Sequence, residues 1–351
     1  YHRLEHPQHR PSTRHTTIMP RTALDPNIGV RGVLALAVIH TLLAPAQALE
    51  GPPKFTRAPA AKGHPFLRYD AFLFDGFGTL HDNARARPGA AEAIRALTEA
   101  GKLVIVGSNA PHDNAEERAF LQELGVTCGL ATDLEYGRLT DDVPMVSVFT
   151  SGHVARASLR NPGGGKFAGR LGDRPHVLGM SAEQLARAHP PGDTVVPSAT
   201  VDAATCLVAY GSAPTVADVE AARRAGERKL PFLAVAGDDV WAAAGLRRGL
   251  TGVEGLVAEY TRAGGEDATI FGKPHRGFFR KALSIAKLHG ADELCVVGDS
   301  LAQDVCGARD AGLPVAWLYE DVHTDEGKRV VGSLARDKRR RPDYVLRSLH
   351  P

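Results

Sequence analysis

The sequence predicts an α/β protein built on a doubly wound parallel sheet, and three observations predict it. Short apolar runs recur along the chain, among them Ala71-Phe72-Leu73-Phe74, Leu103-Val104-Ile105-Val106 and Leu294-Cys295-Val296-Val297. They are too short and too apolar for surface helices and suit strands buried on both faces. Amphipathic segments alternate with them, the pattern that gives parallel sheets flanked by helices. The runs also end on polar residues, at the strand ends where open α/β sheets bind ligands.

Taken in order, the first run ends on Asp75, and Gly76 and Gly78 then let the backbone turn sharply and approach an anion closely. A helix is expected over 88–97, with Pro88 near its first turn and Gly101 beyond its end. The strand of 103–107 ends on Ser108-Asn109, and a helix over 115–124 is closed by Gly125. Residues 128–143 form an extra segment, followed by a strand at 145–149. Gly163-Gly164-Gly165-Lys166 has the glycines of a phosphate cradle but not the spacing of a P-loop, so a flexible hinge is the preferred reading. Strands over 176–178, 205–210 and 232–235 then alternate with helices over 182–188 and 216–228. The first sheet is expected to resume near Ala268, with Thr269-Ile270-Phe271-Gly272 leading to Lys273. The strand of 294–298 leads to Asp299, with Asp304 five residues later, and strands over 314–319 and 343–346 finish the sheet.

The 351 residues, 43% hydrophobic, suffice for two domains with full cores. A formal charge of +2 gives no reason to expect nucleic acid, and the basic run Arg336-Asp337-Lys338-Arg339-Arg340-Arg341 reads as a solvated loop. Cys128, Cys206, Cys295 and Cys306 have neither metal-ligand nor disulfide-framework spacing. Residues 1–65 are expected to lie outside the fold. Arg21 and Arg31, the apolar stretch from Val33 to Leu43 and the small residues around Ala46-Gln47-Ala48 describe a secretory signal; the alternatives are an organelle transit segment or a mis-set start, and otherwise a cytoplasmic protein. The stretch is too short for a stable membrane span, and residues 51–63 read as a linker.

The polar residues at the strand ends carry the chemistry. Carboxylates there suit a hard cation such as Mg2+, which takes oxygen ligands and shares them with a phosphate. An ammonium and a Ser-Asn turn supply charge and donors for phosphate oxygens. At these residues the chain resembles the haloacid dehalogenase superfamily of phosphohydrolases. Asp75-Gly76-Phe77-Gly78-Thr79 stands for the nucleophile motif, Ser108-Asn109 for the second, Lys273 in Gly272-Lys273-Pro274 for the third, and Gly298-Asp299 with Asp304 for the fourth. Gly272-Lys273-Pro274-His275 and Phe149-Thr150-Ser151-Gly152-His153-Val154 are similar to class IIA, and the closest subgroup is that of the predicted sugar phosphatases with an Asp-x-Trp-Gly-Val-Leu-His first motif.

The resemblance implies a Rossmann-like core of 66–162 and 268–351, with an inserted α/β cap over 163–267. It implies Asp75 as nucleophile, Mg2+ held by Asp75, the Phe77 backbone carbonyl, Asp299 and Asp304, and phosphate held by Ser108, Asn109 and Lys273. Asp239 in the cap is a candidate substrate contact. The expected partner is a small phosphorylated metabolite, and a homodimer through the cap is a further expectation. Phe77 departs from the family, whose Asp at this position protonates the leaving oxygen. Three outcomes follow: a substrate with a good leaving group such as an acyl phosphate, replacement of the acid by His81, or a weakly active or inactive protein that binds a phosphorylated ligand in a regulatory role. For His81 the preferred reading is a turn residue bonding the backbone.

Overall fold

The computed structural model describes residues 68–82, 84–111, 113–126, 146–160, 172–188, 194–211, 214–237, 252–320, 334 and 340–349. The expected leader and linker, the segment 128–143, the glycine loop at 163–166 and Asp239 lie outside the described residues.

The first sheet has six parallel strands. β1 (Ala71–Asp75) is followed by α1 (Ala90–Glu99), β2 (Leu103–Ser108), α2 (Asn114–Glu123), β3 (Val146–Thr150) and α3 (Ser151–Arg160). A second, four-stranded parallel sheet follows: β4 (Pro175–Leu178), α4 (Ala182–Ala188), β5 (Cys206–Tyr210), α5 (Val216–Glu227), β6 (Phe232–Val235), α6 (Gly252–Arg262) and β7 (Ala268–Phe271). The chain then runs through α7 (Arg276–Leu288), β8 (Leu294–Gly298), α8 (Cys306–Asp310), β9 (Val315–Leu318) and β10 (Tyr344–Leu346) to complete the first sheet in the order β10-β9-β8-β1-β2-β3.

Successive side chains of a strand point to opposite faces, and β1 fills both. Phe72 and Phe74 pack with Ile94, Leu97, Val104 and Leu121 on one side. Leu73 packs with Ile105, Phe149, Phe278, Phe279 and Val296 on the other. From β1 the chain adds strands first toward β3, then returns to add β8 on the opposite side of β1. The reversal puts the topological switch point between β1 and β8, where Phe74 is in register with Val297. Asp75 and Asp299 therefore emerge from neighbouring strand ends.

Residues 268–271 do not reopen the first sheet, as the sequence led us to expect. They pair with β6, Ala268 beside Phe232 and Phe271 beside Val235, as the edge strand of the second sheet. The cause is the short return from α6: Gly264 turns at φ 96° and Gly265 lies against the Tyr260 ring, which admits no side chain there. Phe232 N–H then donates to Asp267 O at 2.8 Å, which fixes the strand beside β6. Lys273 thus leaves the end of the second sheet. Helix α3 also joins this unit, packing Ala155 and Leu159 against Val208, Tyr210, Leu233 and Val235.

Candidate active site

Asp75 ends β1, only 6% exposed because β2 and β8 flank it. Asp299 follows β8. A wide turn over Leu301–Val305, in which both Asp304 and Val305 donate backbone N–H to Ser300 O, folds Asp304 back over the strand end. Gly298 is required there, since a Cβ would lie 2.2 Å from Asp304 Cγ. One oxygen from each of Asp75, Asp299 and Asp304 lies within 4.8 Å of the others.

Lys273 reaches this cluster from the second sheet. Its ammonium donates to Asp75 Oδ1 and, at 3.0 Å, to Asp304 Oδ1. It is 2% exposed and Asp304 1%. Asp304 Oδ2 accepts the Ser300 N–H at 3.0 Å, so both of its oxygens are held. Asp299 is fixed differently. Thr79 Oγ1 donates to its Oδ1 at 3.2 Å, and Trp317 Nε1 donates to its backbone carbonyl at 2.8 Å. Gly78, at φ 85°, lies so close that a Cβ would meet Asp299 Oδ2 at 2.3 Å.

The donor set fits a hard divalent cation. Among the described residues three carboxylates face one ammonium, which leaves excess negative charge, and each of these side-chain donors is oxygen. Burial, and then the neighbouring Asp304 carboxylate, push the Asp299 carboxyl above its ordinary range, with Lys273 and Thr79 acting against the shift. A cation between the carboxylates offsets that repulsion.

The other expected residues divide. Ser108 ends β2 beside β1, and its hydroxyl accepts the Ala110 N–H at 3.1 Å. The Asn109 side chain is taken up by bonds within the protein. Its amide oxygen accepts Lys273 N–H at 2.7 Å and Ser151 Oγ–H at 3.3 Å. Its amide nitrogen donates to Lys273 O at 3.0 Å and Gly237 O at 3.2 Å. The side chain has two acceptor positions and two donors, and all four serve the protein.

His81 turns toward α2. Its ring meets Phe120 edge-to-face at 4.8 Å, and its Nε2 lies 3.8 Å from Glu117 Oε1. His81 is 4% and Glu117 2% exposed, both tucked under Gly76, where a Cβ would meet the two side chains at 3.2 and 3.0 Å. Sequence reasoning missed Glu117. It sits among Glu116, Arg118 and Glu123 on a helix that reads as solvated, and only its place in the helical period sets it on the buried face with Leu121. Phe77 is partly buried, its ring 6.2 Å from that of His81.

Two family models match the chain, one of haloacid dehalogenase-like hydrolases over residues 72–175 and one described as HAD-hydrolase-like over 270–351. A comparison with curated proteins finds no match. Among solved structures, a haloacid dehalogenase-like hydrolase from Brucella suis is 25% identical, with TM-score 0.53, covering 80% of this chain and 96% of its own. A glycerol phosphate phosphatase from Mycobacterium tuberculosis in complex with magnesium is 23% identical, with TM-score 0.51, over 80% of this chain and 76% of that one. A possible sugar phosphatase from Cytophaga hutchinsonii is 18% identical, with TM-score 0.56, over 81% and 95%. The two matched stretches bracket the second sheet and carry the strand ends from which Asp75, Ser108, Asp299 and Asp304 converge, and on this evidence the chain belongs to the haloacid dehalogenase-like hydrolases.

Proposed function

We propose that the protein is a magnesium-dependent phosphohydrolase of a small phosphorylated metabolite, working through an aspartyl-phosphate at Asp75. The observation that carries the reading is the convergence of Asp75, Asp299 and Asp304 around the Lys273 ammonium at the sheet's switch point. An Asp75 oxygen attacks phosphorus, and the bond from phosphorus to the leaving oxygen breaks with its electron pair on that oxygen. Water then attacks the same phosphorus, the bond to Asp75 breaks, and a water proton passes to the released phosphate. Dividing the reaction in this way replaces one hard step by two easier ones.

Lys273 holds the nucleophile in place and offsets its repulsion with an anionic phosphate. Ser108, at the adjoining strand end, donates to a phosphoryl oxygen. Magnesium, when held by Asp75, Asp299 and the Phe77 backbone carbonyl with Asp304 assisting, offsets charge on the transferring phosphoryl oxygens. The second sheet serves as the cap over this site.

Phe77 bears on the substrate. Acid–base assistance is worth about 10²–10⁴ in rate, and a phenyl ring supplies none. The His81 ring packs on Phe120 and faces Glu117, and with no carboxylic acid at position 77 a leaving group that carries its own charge well suits the site best. An acyl phosphate or similarly activated phosphate meets that requirement; a sugar alkoxide meets it poorly. Phe77 also favours a second reading, a phosphoryl-ligand binding protein of low turnover.

The test is phosphate release from a panel of acyl, aryl and alkyl phosphates with and without Mg2+, for the native chain and Asp75→Asn. Release from activated phosphates that needs Mg2+ and is abolished by Asp75→Asn upholds the enzyme. Thermal stabilisation by phosphorylated ligands without release of phosphate upholds the binding protein instead.

A further inference from the structure

Asn109 lies where three carboxyl-terminal strand ends of the second sheet meet the core. Gly211 follows β5, Gly237 closely follows β6 and Gly272 follows β7. A Cβ on Gly211 would lie 2.1 Å from Gly237 N, so the first two backbones touch. A Cβ on Gly272, at φ 108°, would lie 2.8 Å from Asn109 Oδ1 and 3.0 Å from Ser151 Oγ. The second sheet therefore abuts the core through bare backbone, with the Asn109 amide at the junction.

The bonds at that junction converge on one residue. Asn109 accepts the N–H of Lys273 and donates to the C=O of the same residue, a two-point hold on its backbone. The same amide donates to Gly237 O, which also receives Gln303 Nε2 at 3.4 Å from the turn carrying Asp304. The orientation of the amide is set by its partners, one backbone N–H and two carbonyls that admit only one assignment of oxygen and nitrogen. Lys273 leaves β7, so the position of its ammonium follows the second sheet.

We propose that Asn109 is a positioning residue that sets the Lys273 ammonium against Asp75 and Asp304 only while the second sheet is seated on the core. It acts through Lys273 and touches neither phosphate nor metal. In its catalytic consequence the proposal rests on the phosphohydrolase reading; the hold on the Lys273 backbone does not. Loss of the hold displaces the ammonium, and a misplacement of about 1 Å in a catalytic group costs about 10²-fold in rate.

The experiment is a double-mutant cycle on phosphate release with Asn109→Asp and Lys273→Met, read beside amide exchange of the peptide spanning 272–275. Asn109→Asp keeps the acceptor for Lys273 N–H and removes both donors. It is expected to lower kcat about 10²-fold in the native background and less than about 3-fold when Lys273 is already Met. Within 272–275 the His275 amide, bonded to Gly272 O, is expected to exchange faster because Lys273 C=O loses its donor, while Lys273 N–H, whose acceptor Asp keeps, and the strand at 103–108 keep their protection. Equal costs in both backgrounds, or an unchanged kcat with unchanged exchange, overturn the proposal. If Asn109→Asp does not fold, Ser151→Ala, which frees the amide oxygen from its second donor, is expected to give a several-fold loss that again vanishes with Lys273→Met. A native chain without turnover rejects the phosphohydrolase reading alone; the exchange arm then decides, accelerated exchange upholding the hold by Asn109 and unchanged exchange rejecting it.

Discussion

Replacing Lys273 by Met removes the one ammonium from a nearly dry cluster and keeps most of the side-chain volume. The lysine is 2% exposed, Asp75 6% and Asp304 1%, and the ammonium bonds both carboxylates. Removing one partner of a buried ion pair costs about 3–5 kcal/mol, because the other charge stays behind without compensation. Here two carboxylates are left, and Asp299, whose ionised form burial already disfavours, stands beside them. We therefore expect a loss of about 3–5 kcal/mol at pH 7 in metal-free buffer, a large share of the total stability of an ordinary domain. The measurement is urea unfolding followed by circular dichroism, read as a shift of the midpoint at unchanged slope. Lys229→Met is the control, since its partner Glu266 is exposed and the pair lies far out in solvent; no measurable shift is expected there. A Lys273→Met midpoint within about 1 kcal/mol of the native protein would mean that the carboxylates do not depend on the ammonium, and the electrostatic account of the site would fail.

Phe77→Asp is expected to raise phosphate release from alkyl phosphates by about 10²-fold or more and to change acyl phosphates little, because only the poor leaving group needs a proton; equal effects on both substrates would refute the role assigned to Phe77. Gly78→Ala is expected to weaken Mg2+ binding, measured by calorimetry, because a Cβ would overlap Asp299 Oδ2 at 2.3 Å and the φ of 85° is strained for alanine. The Asp299 carboxyl is held above its ordinary value, so the folded metal-free protein takes up that proton more readily than the unfolded chain. Metal-free stability is therefore expected to fall as pH rises from the ordinary Asp value through the raised one. Mg2+ affinity is expected to run the other way, falling as pH drops through the raised value, because proton and ion compete for the same oxygens. Midpoints and titrations across that window check both signs.

The strands bearing Asp75, Ser108 and Asp299 were legible because central parallel strands are buried on both faces, which leaves unbroken apolar runs and sharp polar endings. Asp304 was legible from its spacing after Asp299 together with the family resemblance. The strand of 268–271 was misplaced because Ala-Thr-Ile-Phe states that a strand exists and nothing about its neighbour; that was decided by the five-residue return from α6. The side-chain partners of Asn109 were not legible for a related reason. A polar residue at a strand end serves a ligand or another piece of backbone equally well, and only the position of Lys273 distinguishes them. Helix α7 did carry a signal that was not used: Phe278, Phe279, Ala282, Ile285 and Ala286 recur at helical spacing and form its buried face.

The two halves of the proposed chemistry stand differently in this chain. Gripping a phosphoryl group needs fixed charges, and these are anchored twice over: Asp304 by Lys273 and Ser300, Asp299 by Thr79 and Trp317, Lys273 by Asn109. Releasing the leaving group needs a proton donor, and that position carries a ring. A fourth carboxylate there would join three that, among the described residues, already exceed their one ammonium. The ring avoids that repulsion, and a substrate that departs without a proton removes the need for the acid. If the proposed phosphohydrolase function holds, selection among phosphorylated compounds by the acidity of what they release is the specificity expected of this site.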